Sequence, residues 1–204
     1  MLGPREVDFY TRPKSMPLAT IWRIVIWLWV ASEIAIGLGT RAKKSNASVR
    51  DRGSLILLWI VIGIATFTAG AVREIQGETL PITSHWAKGV GLTILAVGLA
   101  LRWTAILTLG RYFTSNVAIQ EGQSVLRTGV YRFMRHPSYT GLWLAFVGLA
   151  IHFRNWRSLA ITLIPITAAM LYRIHVEEAA LVDAFGADYE NYQKSTSRLI
   201  PGVY

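Results

Sequence analysis

Cysteine is absent from this chain of 204 residues, and charged residues make up only 16% of it. The absence of cysteine excludes disulfides, iron–sulfur clusters, thiolate metal sites and a cysteine nucleophile. Soluble domains carry roughly 25% charged residues, so the scarcity of charge argues against a soluble domain. The length is typical of a single domain without a separate soluble catalytic module.

Apolar residues are abundant instead: they form 52% of the chain, which includes eight tryptophans. They are concentrated in five runs, at 18–38, 54–72, 86–109, 139–153 and 159–174. A transmembrane helix needs about 20 predominantly apolar residues, which the first three runs supply. The last two runs are shorter, and we expect a tight helical hairpin whose second arm is kinked at Pro165. The sequence therefore predicts an all-α integral membrane protein with about five transmembrane helices.

The basic residues that give the chain a net charge of +9 lie mostly in short loops between the apolar runs. Cytoplasmic loops of membrane proteins are enriched in Lys and Arg. This rule places the segments 41–52 and 110–135 in the cytoplasm and the N-terminus outside. Anionic lipid headgroups explain the charge better than nucleic acid does. Because the polar segment 1–17 precedes a run of full spanning length, no cleavable signal peptide is predicted.

A few polar and small residues interrupt the apolar runs. Glu33 lies near one end of the first run and is expected to face protein rather than lipid, and Arg102 interrupts the third run. Small residues allow membrane helices to approach closely, so Gly89, Gly91 and Gly98 predict a packing face. None of these glycines follows a strand, and a dinucleotide-binding loop or Rossmann domain is therefore not predicted.

The sequence stays helical beyond Tyr172 but becomes amphipathic. Apolar side chains recur there at spacings of four, four and three, at Leu181, Phe185, Tyr189 and Tyr192. This spacing predicts a single apolar stripe on a C-terminal cytosolic helix. Gly186 interrupts the stripe, and a terminal loop follows at 198–202.

The first cluster that could carry chemistry is the segment 129–141, which joins aromatic, basic and turn-forming residues between two apolar runs. His136-Pro137 predicts a helix start, since proline is well accommodated at the first helical position. The free backbone N–H groups of a helix N-terminus can hold a carboxylate or another anion. The alternative is that Arg132, Arg135 and His136 only anchor the chain to anionic headgroups.

The second cluster lies at the end of the fifth apolar run, with Arg173, His175, Glu177 and Glu178. Arg173 and Glu177 are four positions apart, so they share a helix face and can pair. A juxtamembrane ion pair is the alternative to a functional site. Glu178 points about 100° away from Glu177 on a helix, which predicts different roles for the two carboxylates. Without an HExxH or similar spacing, no metal site is predicted.

Together the two clusters resemble the signatures of the isoprenylcysteine carboxyl methyltransferase family. The first signature is matched by Gly129-Val130-Tyr131 followed by Arg135-His136-Pro137-Ser138-Tyr139-Thr140-Gly141. The second is matched by Glu177-Glu178, Leu181, Phe185-Gly186, Tyr189, Tyr192 and the segment 198–201. Similar signatures occur in the wider group that includes phospholipid N-methyltransferases. The resemblance covers about the C-terminal half of the chain.

The resemblance implies an integral-membrane methyltransferase that uses S-adenosylmethionine and faces the cytoplasm with its active site. It implies a three-helix transmembrane region at 1–109 and a catalytic region at 110–204, made of a cofactor loop, a helical hairpin and a C-terminal helix. Arg173 and Glu177 correspond to the catalytic positions. The positions that correspond to cofactor contacts are Gln120, Gln123, Ser124, Val125, Leu126, Tyr131, His136, Pro137, Ser138, Tyr139 and Glu177.

The leading hypothesis is methyl transfer to the carboxylate of a prenylcysteine-like or other lipophilic acid drawn from the bilayer. Its acceptor needs no base, because a carboxylate is already ionised near neutral pH. A phospholipid amine is the alternative acceptor, and it would need Glu177 or Glu178 to remove a proton. An NADPH-dependent membrane reductase and a non-enzymatic transporter or scaffold are further alternatives. No nucleic acid and no obligatory protein partner are predicted.

Overall fold

The computed structural model describes residues 16–40, 47–49, 53–73 and 79–203. The described residues form six α-helices: α1 Leu18–Gly39, α2 Ser54–Val72, α3 Ser84–Leu109, α4 Pro137–Phe153, α5 Trp156–Phe185 and α6 Ala187–Ser195. Two short strands, β1 Ala47–Val49 and β2 Ala118–Gln120, pair antiparallel with Ala47 opposite Gln120. The polar segment 1–15 and most of the basic segment 41–52 lie outside the described residues.

Four helices in the described part of the chain are long and apolar enough to cross a membrane: α1, α2, α3 and α5. Many of their large side chains point outward, such as Trp27 and Phe67, which are 71% and 80% exposed. An exposed apolar surface of this kind fits a lipid environment, where it needs no burial by protein. The predicted all-α integral membrane fold is thus confirmed. Helix α4 has 17 residues, so the fifth span stays a prediction.

The hairpin expected from the last two apolar runs is formed by α4 and α5. Arg154 adopts a left-handed conformation at the turn, and the fully buried Asn155 accepts a hydrogen bond from the Ser158 N–H at 3.1 Å to cap α5. Helix α5 does not stop with its apolar run. It continues through Pro165 to Phe185, where Gly186 separates it from α6 with a φ of +53°.

Glycines bring α3 and α4 into backbone contact at two levels. A Cβ atom added to Gly91 would lie 2.6 Å from the Gly148 carbonyl oxygen, and one added to Gly98 would lie 2.5 Å from that of Gly141. The packing role predicted for Gly91 and Gly98 is confirmed. For Gly89 it is wrong, because nothing lies within 4 Å of the corresponding Cβ position.

The buried core lies where the membrane helices meet. It includes Trp29 of α1, Leu58 of α2, Leu95 of α3, Phe146 of α4 and Ile166 of α5. Because every one of the five helices contributes, the core fixes their mutual positions. The cavity described below is bordered by the same helices.

The segment that follows α6 returns to the start of α4. The backbone N–H groups of Arg135 and His136 donate to the carbonyl oxygens of Ser197 and Arg198 at 2.9 and 3.1 Å. The Thr140 hydroxyl donates to the Leu199 carbonyl at 2.9 Å. These bonds bring the two signature segments of the sequence together in space.

Candidate active site

Side chains from both halves of the sequence line one cavity in the described part of the chain. One wall comes from α1 and α2 and is apolar except for Glu33, with Ile36, Gly37, Leu55, Leu58, Trp59 and Ile62. The other wall is largely polar and comes from the C-terminal half, with Asn116, Gln123, Tyr131, His136, Arg173 and Glu177. A cavity built in this way suits a ligand, or a pair of ligands, with both polar and apolar parts.

Glu177 places a carboxylate in the polar wall. Its Oε2 atom accepts a hydrogen bond from the Tyr139 hydroxyl at 2.8 Å, which joins α5 to the first turn of α4. A carboxylate offers about four lone-pair sites, so this bond leaves capacity for a ligand hydroxyl or ammonium group. Glu177 is therefore placed to bind a ligand as well as to hold Tyr139.

Arg173 lies one turn earlier in α5 and is 3% exposed. Its guanidinium donates to the Ser54 hydroxyl at 2.9 Å and to the Ser115 carbonyl at 2.5 Å. These bonds tie α5 to α2 and to the segment that precedes β2. Arg173 and Glu177 thus line the same cavity, which agrees with the shared helix face that their spacing predicted.

Glu178, the next residue, has different surroundings. Its Oε1 atom lies 2.9 Å from Arg135 Nε and 3.1 Å from His136 Nε2, and its Oε2 atom lies 2.9 Å from a nitrogen of Arg198. Arg135 also donates to the carbonyls of Gln193, at 3.0 Å, and Thr196. Glu178 therefore fixes the C-terminal segment against the start of α4, in contrast to Glu177.

A buried ion pair between α1 and α3 lines the cavity. Arg102 donates from Nε and a terminal nitrogen to the two carboxylate oxygens of Glu33, at 2.6 and 2.7 Å. Its other terminal nitrogen donates to the Ser138 hydroxyl at 2.8 Å. Trp29 adds a hydrogen bond to Glu33 at 3.2 Å. The expectation that Glu33 faces protein is confirmed.

Most positions matched to the family signatures reach the cavity wall. Those that line it are Gln123, Ser124, Val125, Leu126, Tyr131, His136, Ser138, Tyr139, Arg173 and Glu177. Gln120 and Pro137 do not line it. Gln120 donates to the Arg111 carbonyl at 2.8 Å, and Pro137 is fully buried at the first position of α4. Their side chains are therefore occupied with the local fold, and a role in cofactor contact stays a prediction.

His136 lines the cavity but is already engaged by protein groups. Its backbone N–H donates to Arg198 and its ring contacts Glu178. The expectation that backbone donors at this helix start are free is therefore wrong for the N–H of His136. The reason is the return of the C-terminal segment, which no local pattern indicated.

Two tyrosines assigned to the apolar stripe of the C-terminal helix also line the cavity, Tyr189 and Tyr192. Tyr192 donates its hydroxyl to the Tyr131 carbonyl at 2.6 Å, and Tyr131 donates to the Ala105 carbonyl at 3.3 Å. Burial raises the pKa of Tyr192 to about 12. Burial first, and then the charge of Glu177, also raise the pKa of Tyr131 above its ordinary value. Both phenols therefore stay neutral and keep their donor hydrogens near neutral pH.

Ser115 is a further wall residue that the sequence did not indicate. Its hydroxyl oxygen is buried without a hydrogen-bond partner among the described residues. Buried polar atoms are nearly always hydrogen-bonded, so an unsatisfied one in a cavity wall points to a ligand or water partner. It lies beside Arg173, whose guanidinium holds the Ser115 carbonyl.

The fold and the cavity together define a class: an integral membrane protein of helices that enclose a site with one polar and one apolar wall. Within this chain, residues 90–183 match the model of the Isoprenylcysteine carboxyl methyltransferase (ICMT) family. The matched region contains α4, both cavity-lining residues Arg173 and Glu177, and the whole first signature. The resemblance to the ICMT family inferred from the motifs is therefore confirmed over this region.

Individual relatives agree with this assignment. The chain is 34% identical over 149 residues to the protein-S-isoprenylcysteine O-methyltransferase of Tribolium castaneum, covering 71% of this chain and 49% of the relative. It is 35% identical over 120 residues to protein-S-isoprenylcysteine O-methyltransferase B of Arabidopsis thaliana, covering 58% and 61%. The chain thus spans between about half and two thirds of the length of these relatives.

A solved structure also resembles this fold. It is described as the eukaryotic intramembrane Ras methyltransferase ICMT, and it aligns with a TM-score of 0.55 at 29% identity. The alignment covers 74% of this chain and 51% of that one. The helical membrane architecture is therefore shared as well as the sequence.

Proposed function

We propose that this protein is an S-adenosylmethionine-dependent methyltransferase that acts on the carboxylate of a prenylcysteine-like or other lipophilic acid. The observation that carries the proposal is the position of the ICMT-family region, 90–183, which supplies Arg173, Glu177 and Tyr139 to a cavity whose opposite wall is apolar. Relatives that are 34% and 35% identical to this chain are named protein-S-isoprenylcysteine O-methyltransferases.

The polar wall suits the methyl donor. S-adenosylmethionine carries an ammonium group, a carboxylate and ribose hydroxyls, and it supplies the reactive methyl group when bound. Glu177 can accept hydrogen bonds from an ammonium or hydroxyl group. The unsatisfied Ser115 hydroxyl and the Ser138 hydroxyl are available to donate to a carboxylate or hydroxyl oxygen. The phenol rings of Tyr131 and Tyr189 add aromatic surface for a nucleobase.

The apolar wall suits the tail of a lipophilic acceptor. Side chains such as Leu58, Trp59 and Ile62 come from α2, a helix with an apolar outer surface. Arg173 joins this side of the cavity to the polar side through its bond to Ser54 of α2. We assign to Arg173 the orientation of the acceptor carboxylate, which is ionised near neutral pH and needs no base. The protein then contributes chiefly by positioning the two reactants.

The surroundings of the two carboxylates argue against a phospholipid amine as the methyl acceptor. A phospholipid amine would have to lose a proton, for which the sequence offered Glu177 and Glu178. Three basic side chains surround Glu178, which keeps its carboxylate occupied and disfavours it as a base. The Tribolium relative is named an O-methyltransferase and the similar solved structure a carboxyl methyltransferase, so the carboxylate acceptor is the function we propose. The active site would face the cytoplasm, as the basic segments 41–52 and 110–135 suggest.

The proposal can be tested in detergent-purified protein by two measurements. Isothermal titration should show binding of S-adenosylhomocysteine, with NADPH as the control ligand that does not bind. Labelled methyl should then pass from S-adenosylmethionine to N-acetyl-farnesylcysteine, but neither to its methyl ester nor to phosphatidylethanolamine. If S-adenosylhomocysteine binds but no methyl reaches the prenylated acid, the assignment of the methyl donor stands and that of the acceptor is overturned. Binding of NADPH alone would overturn both.

A further inference from the structure

Glu33 of α1 and Arg102 of α3 form a buried ion pair between two of the long apolar helices. The two residues are 6% and 8% exposed, and their contact is bidentate at 2.6 and 2.7 Å. Ionisable residues inside membrane segments cost free energy, and they usually mark a functional site. Both residues also line the cavity, although neither belongs to a motif of the family signatures.

Arg102 connects this pair to the first signature. Its terminal nitrogen lies 2.8 Å from the Ser138 hydroxyl and 3.4 Å from the Ser138 carbonyl. An arginine side chain has five N–H donors and no acceptor. The Ser138 oxygen must therefore accept in this contact, and its own hydrogen must point away from Arg102.

The hydroxyl hydrogen of Ser138 has no acceptor among the protein groups that the structure describes. Among the described residues, Arg102 is the hydrogen-bond partner of the Ser138 hydroxyl, and Ser138 lines the cavity in the first turn of α4. A hydroxyl that already accepts from a cation is polarised and becomes a better donor. The geometry therefore presents Ser138 to the cavity as a donor.

We propose that Arg102, held in place by Glu33, is a positioning residue that fixes the Ser138 hydroxyl as a hydrogen-bond donor to an anionic or hydroxyl oxygen of the bound methyl donor. The proposal rests on the proposed function and adds to it a role for α1 and α3 in cofactor affinity. Arg102 itself acts through Ser138, since its contacts in the cavity wall go to Glu33 and Ser138.

The test must separate this role from simple helix assembly. Removing one member of a buried ion pair leaves an uncompensated charge and endangers folding, whereas replacing both by apolar residues of similar size is often neutral or stabilising. The informative variant is therefore Glu33→Leu combined with Arg102→Met. It is compared with Ser138→Ala and with the triple variant that joins all three changes. Thr167→Val is the matched control, because it removes the 2.9 Å hydrogen bond from Trp143 between α4 and α5 outside the cavity wall.

The readouts are the Kd for S-adenosylhomocysteine by isothermal titration and the thermal unfolding midpoint in the same detergent. We expect the double variant to unfold at or above the wild-type temperature, yet to bind about tenfold more weakly, as the loss of one charge-assisted hydrogen bond predicts. Ser138→Ala should show the same loss, and the triple variant should lose no more than either. Thr167→Val should bind like the wild type.

Several results would overturn the proposal. Wild-type affinity in the double variant, or losses that multiply in the triple variant, would show that Arg102 does not act through Ser138. An unchanged affinity in Ser138→Ala would remove the donor role itself. If the wild-type protein failed to bind S-adenosylhomocysteine, the proposed function would fall together with this inference. Binding by the wild type with no effect of the variants would overturn the inference alone.

Discussion

Glu177 and Glu178 are adjacent in α5, yet the first carboxylate lines a cavity and the second is enclosed by basic side chains. Glu177 accepts a hydrogen bond from Tyr139 at 2.8 Å, while Glu178 is 5% exposed and lies within 3.1 Å of His136. One helix position therefore separates a carboxylate that lines the cavity from one that holds the fold together. The variants of the two residues should differ accordingly.

We expect Glu177→Gln to weaken binding of S-adenosylhomocysteine about tenfold, because a charged acceptor is replaced by a neutral amide. The fold should persist, since the amide oxygen can still accept from Tyr139. Isothermal titration measures the affinity, and circular dichroism reports on the fold. Glu190→Gln is the matched control on the exposed surface of α6. Equal affinities for both variants and the wild type would remove Glu177 from the binding site.

We expect Glu178→Ala to destabilise the protein by about 3 kcal/mol, since removing one partner of a buried charge cluster leaves the remaining charges uncompensated. The basic side chains left behind are those of Arg135, His136 and Arg198, of which the first two are 8% and 3% exposed. Chemical or thermal unfolding in detergent measures the loss. Limited proteolysis should also cut the segment 196–203 faster than in the wild type. A variant as stable as the wild type would refute a structural role for Glu178.

We expect Arg173→Lys to reduce methyl transfer more than it reduces cofactor affinity. An ammonium group cannot reproduce the planar fork with which a guanidinium orients a carboxylate. The acceptor KM and kcat should both change, with a fall in kcat/KM of about 100-fold or more. Kinetics at saturating methyl donor are to be compared with the Kd for S-adenosylhomocysteine. Parallel losses in both quantities would assign Arg173 to general support of the cavity instead.

We expect Gly98→Ala to destabilise the packing of α3 against α4 by about 1–3 kcal/mol, the range found for overpacked cores. The added Cβ would lie 2.5 Å from the backbone oxygen of Gly141, and backbone cannot give way as a flexible side chain can. Gly63→Ala in α2 is the control, because nothing lies within 4 Å of its Cβ position. The Gly63→Ala variant should be as stable as the wild type or slightly more stable, because alanine has a higher helix propensity than glycine. The measurement is the thermal unfolding midpoint of each variant in the same detergent. Equal midpoints for the two variants would contradict the prediction.

The helices and the two polar clusters could be predicted from the sequence because their signals are local. The second apolar run and α2 both extend from Ser54 to Val72, and the His136-Pro137 pair marks the start of α4 as expected. Such signals need only hydropathy, helix periodicity and the stereochemistry of proline.

The contacts that complete the site could not be predicted in the same way. Glu33 and Arg102 are separated by 69 positions, and Arg198 reaches Glu178 from a different segment. Nothing in the spacing of such residues indicates that they meet, since the packing of several helices determines it. The only available signal was physical: opposite charges in two apolar runs are expected to find partners.

The return of the segment 196–199 to the start of α4 has a consequence for biogenesis. Helices α1 to α5 all precede this segment, so they are synthesised before Tyr189 and Tyr192 are added to the cavity wall. The ribosome must have released residues beyond Leu199 before the bonds to Arg135, His136 and Thr140 can form. The contacts that complete the site therefore depend on the last part of the chain to be synthesised. A chain truncated within α6 would keep helices α1 to α5 but lack the segment that bonds to the start of α4.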